Sequence, residues 1–70
     1  MTLKLNSSYK TATGMIIPRS HLSEEGGEKY CIVEVLTFDK GRYTVEHHAL
    51  TTGEIRKRLG LKKTERIMIE

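Results

Sequence analysis

The sequence predicts an α+β fold: a small, mostly antiparallel β-sheet of about five short strands with one short helix near residues 52–59. Three observations carry that reading. Residues 30–38, Tyr-Cys-Ile-Val-Glu-Val-Leu-Thr-Phe, are β-branched and aromatic, which suits a pleated, half-buried surface. Asp39-Lys40-Gly41 breaks that run before Arg42 to Ala49 resume it with Tyr43, Thr44 and Val45, so the two runs read as a β-hairpin with Gly41 in the left-handed position. Thr51 and Glu54 then have the spacing of a helix capping box, in which a Thr hydroxyl accepts from a free backbone N–H and the Glu side chain returns the bond.

At the N-terminus, Leu3 and Leu5 alternate with polar residues and suggest a strand near 2–6. Tyr9 to Gly14 reads as a turn. Met15-Ile16-Ile17 is a second short strand stopped by Pro18, which has no N–H to give a ladder. Ser23-Glu-Glu-Gly-Gly-Glu28 is polar and glycine-rich, and it places an exposed, flexible loop near 19–29. In the long strand, alternation puts Cys31, Val33, Val35 and Thr37 on one face and Tyr30, Ile32, Glu34, Leu36 and Phe38 on the other. Both faces are mostly apolar, so this strand is expected to be central and covered on both sides.

The helix is the most explicit element. Leu50 and Ile55 occupy the hydrophobic-staple positions around the Thr51 cap. Gly60 stands where a left-handed residue ends a helix, with Leu61 placed to fold back on Ile55. Ile55 and Leu59 are four apart and share a face, while Arg56, Lys57 and Arg58 occupy the rest. After Lys62-Lys63-Thr64, Ile67 and Ile69 alternate with Arg66, Met68 and Glu70 as a final strand.

Seventy residues make a single small domain, residues 1–70. A chain of this length buries only roughly 60% of the surface its unfolded form exposes. Such a chain hardly supplies both a core and the walls of a deep pocket, which argues against an enzyme. The thin core and the doubly apolar strand argue instead for a homodimer or a subunit of something larger. One cysteine, Cys31, excludes an internal disulfide. No run approaches the ~18 apolar residues of a membrane span, and Lys4-Leu-Asn-Ser-Ser opens no apolar leader, so the expectation is a cytoplasmic protein without membrane contact.

No constellation for catalysis emerges. His47 and His48 are neighbours on a strand and point to opposite faces, so they do not share one ion. No Cys-x-x-Cys or His-x-x-x-His spacing exists, and no metal or other cofactor is expected. Cys31 reads as a small buried hydrophobe rather than a nucleophile. Thr11 to Gly14 lacks the Lys-Ser/Thr ending of a phosphate loop, and no pair of acidic residues has a spacing that predicts acid–base work.

Charge is the feature that points to a partner. The net charge is +3, yet residues 1–55 carry six Lys/Arg against seven Asp/Glu, and residues 56–70 carry six against two. The excess is therefore confined to Arg56, Lys57, Arg58, Lys62, Lys63 and Arg66. A capped helix and turn fix these backbones relative to one another, and a positioned basic surface binds phosphates by displacing condensed counterions. The expected partner is nucleic acid, DNA before RNA, or an acidic protein surface. Tyr43 and His47, on one face of the hairpin strand, are candidates for added stacking. The other readings are a protein-interaction module, such as a small inhibitor or accessory subunit, working through a sheet edge, and an excised domain of a larger protein.

Two resemblances bear on this. Residues 54–70, Glu-Ile-Arg-Lys-Arg-Leu-Gly-Leu-Lys-Lys-Thr-Glu-Arg-Ile-Met-Ile-Glu, resemble the distal half of AbrB/SpoVT-type DNA-binding modules, a short helix followed by a basic turn and a strand. Lys40-Gly41-Arg42-Tyr43-Thr44-Val45 is similar to the strand that precedes that helix, so the resemblance spans residues 40–70. It implies an interleaved homodimer that binds DNA, with Arg56 and Arg58 as contacts and Lys40 and Arg42 in support. Residues 46–53 stand where that family has a proline and one or two residues. The chain also resembles the C-terminal β-rich region of HlyD-type efflux adaptors, through Ile17-Pro18-Arg19-Ser20, Tyr30-Cys31-Ile32-Val33, Ala49 to Gly53, and Gly60-Leu61 through Ile67. That resemblance implies an excised β-domain.

Overall fold

A computed structural model describes residues 1–70. In chain order the elements are β1 (Thr2–Leu3), β2 (Tyr9–Thr11), β3 (Gly14–Pro18), β4 (Ser23–Glu25), β5 (Glu28–Asp39), β6 (Arg42–Thr51), α1 (Thr52–Leu59) and β7 (Met68–Ile69). β5 is the spine of a five-stranded antiparallel sheet. One of its edges carries β3 beside residues 33–37 and β4 beside residues 28–30, and β2 lies outside β3. Its other edge carries β6 without interruption from Asp39↔Arg42 to Tyr30↔Thr51. A separate parallel pair joins the chain ends, with Thr2 beside Met68 and Leu3 beside Ile69. The fold is the small α+β arrangement that the sequence predicts.

The central hairpin forms where expected. Its loop is the pair Lys40-Gly41, with φ of 50° and 77°; two left-handed residues in succession give the turn whose twist matches that of the strands. The N-terminal third departs from expectation. Tyr9–Thr11, read as a turn, is a strand, because Tyr9 pairs with Ile16 and Lys10 with Met15 around an Ala12-Thr13 loop. β3 also runs through Pro18 rather than ending before it. Pro18 lies opposite Val33, whose own backbone groups turn toward β6, so β5 asks no N–H of it. The polar 23–28 segment is exposed, and part of it is strand: β4 turns through Gly26-Gly27 and pairs back on β5. Gly14 has a specific role, since a Cβ there would overlap the Leu36 carbonyl oxygen.

The core is one cluster of nine residues: Leu3, Ile16, Cys31, Val33, Val35, Leu50, Ile55, Ile67 and Ile69. It lies between one face of the sheet and a layer made of α1 and the β1–β7 pair. Cys31, Val33 and Val35 supply the middle of the sheet face, as the alternation of β5 requires. The expectation that β5 is covered on both sides is overturned. Ile32 is 45% exposed and Phe38 53% exposed, because helix and terminal strands all pack on the same side of the sheet. Even that side is only partly covered: along β6, Thr44, Glu46 and His48 share the core face yet are exposed, and only Leu50 is buried. The two-strand hairpin therefore projects beyond the core layer, and the molecule is elongated, 38 × 22 × 20 Å.

Candidate nucleic-acid interface

The helix that carries the basic residues is fixed at both ends by its own sequence. Thr51 Oγ1 accepts from the Glu54 N–H at 3.2 Å, and the Thr51 N–H donates to Glu54 Oε1 at 3.0 Å. This is the reciprocal capping box, and it holds the Glu54 carboxyl below its usual range. The Thr51 backbone N–H is the main cause, the Thr51 hydroxyl the next, and the Arg58 charge a smaller one. At the other end Gly60 has φ 70°. Its N–H donates to Lys57 O at 3.3 Å, while the Leu61 N–H donates to Arg56 O at 2.9 Å. That bond pair is a Schellman motif, and it aims Leu61 back at the core cluster, where Ile55 and Leu50 already lie.

The six basic residues are distributed over this frame as follows. Lys57, Arg58, Lys62, Lys63 and Arg66 are exposed, and Arg56 is half-buried. None of the six forms an ion pair; the ion pairs present are Met1–Glu65, Arg19–Glu34 and His48–Glu46. Arg56, Lys57 and Lys63 come together on one open cleft of about 620 Å³, lined also by Gly53, Gly60 and Leu61. Gly53, Arg56, Lys57 and Gly60 lie along one helical stripe, so two side-chain-free positions flank the two cations. Arg58 faces the neighbouring surface beside Glu54. Lys62 opens the following turn and Arg66 lies in the segment before β7, which is strand only at Met68–Ile69 and not from residue 66 as expected; neither lines a cleft. Arg56 has a second role: its Nη1 donates to Glu65 O at 3.2 Å, which ties the helix to the chain entering β7. Glu65, the acidic residue among these cations, is itself engaged by the N-terminal ammonium at 3.3 Å.

Two expectations about this surface are corrected by geometry. Tyr43 and His47 do not join it. They lie opposite Phe38 and Glu34, on the sheet face away from the helix, so the sheet itself stands between them and the basic residues. Lys40 and Arg42 sit at the hairpin tip, a strand length of about 30 Å from the helix start, and belong to a different end of the molecule. What the sequence reading missed is the open sheet face: Ile32, Phe38, Tyr43 and Val45 are all about half exposed. The signal was present in the two-residue loop, whose register puts Tyr43 beside Phe38 and Val45 beside Leu36.

A second open cleft, of about 490 Å³, lies toward the hairpin end and is lined by Lys10, Met15, Phe38 and Tyr43 among others. No cluster of three or more His, Cys, Asp or Glu side chains is suited to a metal ion. Cys31 is buried, with its Sγ 3.2 Å from Ser20 O. No helix is long and apolar enough to cross a membrane. No protein-family model, curated protein or solved structure matches the chain.

Proposed function

We propose that this protein is a small, non-enzymatic nucleic-acid-binding regulator, and that it grips phosphates with the surface formed by α1 and the turn after it. One observation carries the reading: six cations within eleven residues, none ion-paired, on a backbone capped at both ends. A charge held in place loses less entropy on contact than a free side chain on a loop. Lys57, Lys63 and Arg56 around one cleft match a phosphate by charge, and Arg58, Lys62 and Arg66 extend that positive surface to neighbouring phosphates. The partner is DNA in the first instance. The protein works as a homodimer in the cytoplasm, and the resemblance of residues 54–70 to AbrB/SpoVT-type modules supports the same reading.

The test is a mobility shift at two salt concentrations with duplex DNA, using the parent and a Lys57→Ala/Arg58→Ala/Lys63→Ala variant. Arg56 is left intact because it also anchors the turn. The variant should bind more weakly, and the slope of log affinity against log salt should flatten by about one for each phosphate no longer neutralised. A parent that never binds, or a variant that binds as the parent does, would point to the protein-interaction reading.

A further inference from the structure

We propose that β6 is a dimer interface, pairing antiparallel with β6 of a second copy of this chain about a two-fold axis at Thr44. This deepens the homodimer part of the reading above and does not depend on nucleic-acid binding. The first ground is the open edge. The Phe38 N–H donates to Thr13 O at 2.8 Å and the Arg19 N–H to Ile32 O at 2.7 Å, so the even residues of β5 turn their backbone groups away from β6 and the odd residues turn toward it. Their partners in β6 alternate in step. Arg42, Thr44, Glu46 and His48 therefore bond to β5, while Tyr43, Val45, His47 and Ala49 present both N–H and C=O to solvent. Edge strands of this length are ordinarily blunted by proline, a bulge or charged side chains, lysine above all, and the charges that β6 carries, Arg42 and Glu46, are opposite in sign. β6 has no proline or lysine, and its register is unbroken from Arg42 to Thr51.

The second ground is charge, and it selects both the occupant and the register. With Glu46 on the axis, the two Glu46 carboxylates would oppose each other. With Val45 on the axis, Arg42 would face His48 of the partner subunit. With Thr44 on the axis, Arg42 faces Glu46 of the partner subunit, and the symmetry makes that pair twice. In the same register Tyr43 faces Val45 of the partner subunit and Thr44 faces Thr44 of the partner subunit. Opposite charges, an aromatic with a β-branched residue, and Thr with Thr are the cross-strand pairs that favour a ladder. Within one subunit these charges are hardly engaged: Arg42 has no ion pair, and Glu46 has only His48 Nε2 at 3.8 Å.

The third ground is continuity of the open face. Phe38 and Tyr43 stack at 5.0 Å, and Leu36 lies beside Val45. The two-fold sets the aromatic pair of one subunit against the aliphatic pair of the other on both sides of the axis. That joins two half-exposed patches into one apolar strip.

Sedimentation equilibrium of the full chain without nucleic acid, over a range of concentrations, tests this against Arg42→Glu, Glu46→Arg and the double variant. Each single reversal should raise the dimer dissociation constant by about tenfold or more, and the double variant should restore it. Amide exchange on the parent gives a readout without mutation: the Tyr43 and Val45 amides should exchange fast when dilute and slow when concentrated. The Lys57→Ala/Arg58→Ala/Lys63→Ala variant should dimerise as the parent does, which keeps this result separate from the nucleic-acid reading. A monomer at every concentration overturns the proposal and leaves the edge to a strand of some other protein. A dimer indifferent to the single reversals, or not rescued by the double variant, overturns it in favour of packing through the open sheet face. Tyr43 and Val45 amides that exchange fast at every concentration overturn it as well.

Discussion

The Arg56 guanidinium donates to the Glu65 carbonyl oxygen, nine residues along the chain, and so couples the helix to the turn that follows it. One of the six basic residues is thus part of the frame that positions the other five. Arg56→Ala should lower stability by about 1 kcal/mol through the loss of this charge-assisted bond at a largely solvent-facing site. Lys57→Ala, at an exposed position with no partner, should stay within about 0.5 kcal/mol of the parent. Urea unfolding of the two variants side by side checks this, and equal effects would contradict the anchoring role.

The cap is expected to matter more than its size suggests. Thr51→Ala removes the oxygen that accepts from the Glu54 N–H and should cost about 1 kcal/mol. Gly60→Ala places a Cβ at φ 70°, with a cost of about 1 kcal/mol. If the helix positions the binding surface, both variants should bind nucleic acid more weakly even well below their melting temperatures. Binding titrations at a temperature where circular dichroism shows both fully folded make the check.

Acidification should weaken the same cap. The Glu54 carboxyl is held below its ordinary value of 4.5, first by the Thr51 backbone N–H and then by the Thr51 hydroxyl. A depressed carboxyl stabilises the fold fully above its unfolded pKa and loses that contribution as the pH falls through the folded one. The stability difference between the parent and Glu54→Gln should therefore be constant near neutrality and shrink as the pH drops below about 4.5. Denaturation midpoints of both proteins from pH 7 down to the acid limb, in steps, measure it.

Gly14→Ala tests the sheet rather than the helix. The added Cβ would overlap the Leu36 carbonyl oxygen across the β3–β5 pair, and backbone cannot yield as a flexible side chain does. Ile16, buried two residues along on β3, would shift with its strand. A loss of about 2 kcal/mol or more is expected. Gly26→Ala should cost less, since nothing lies within 4 Å of its added Cβ and only the left-handed φ of 61° is strained. Thermal melts of the two variants compare a close approach with a turn.

What the sequence disclosed was mostly local. The capping box, the left-handed Gly60 and the left-handed Gly41 depend on a few consecutive residues and stand as read, although the hairpin loop is one residue shorter than Asp39-Lys40-Gly41, with Asp39 paired to Arg42 and Lys40 left-handed as well. The faces of β5 were also legible, because alternation is a property of one strand. Which face is covered was not, since cover comes from β1, β7 and α1, elements remote in sequence. β2 escaped notice for a related reason: Tyr9-Lys10-Thr11 has no apolar pattern of its own and becomes a strand through its pairing with Gly14–Ile16. At the candidate interface the sequence showed which cations lie close along the chain, but not that only Arg56, Lys57 and Lys63 share one cleft, nor that Arg56 is tied to Glu65, nor that the sheet separates Tyr43 and His47 from them.

The parallel pairing of β1 with β7 has a consequence for how the chain is made. Leu3, Ile67 and Ile69 are three of the nine core residues, and they meet only when residues 2–3 find residues 68–69. A nascent chain on the ribosome can zip up its central hairpin early, since that ladder closes over a two-residue loop. It cannot seal its interior until residues 68–69 have cleared the exit tunnel. Folding should accordingly end with a slow step of high sequence separation, and until then the apolar underside of the sheet is open to whatever chaperone or neighbouring chain meets it first.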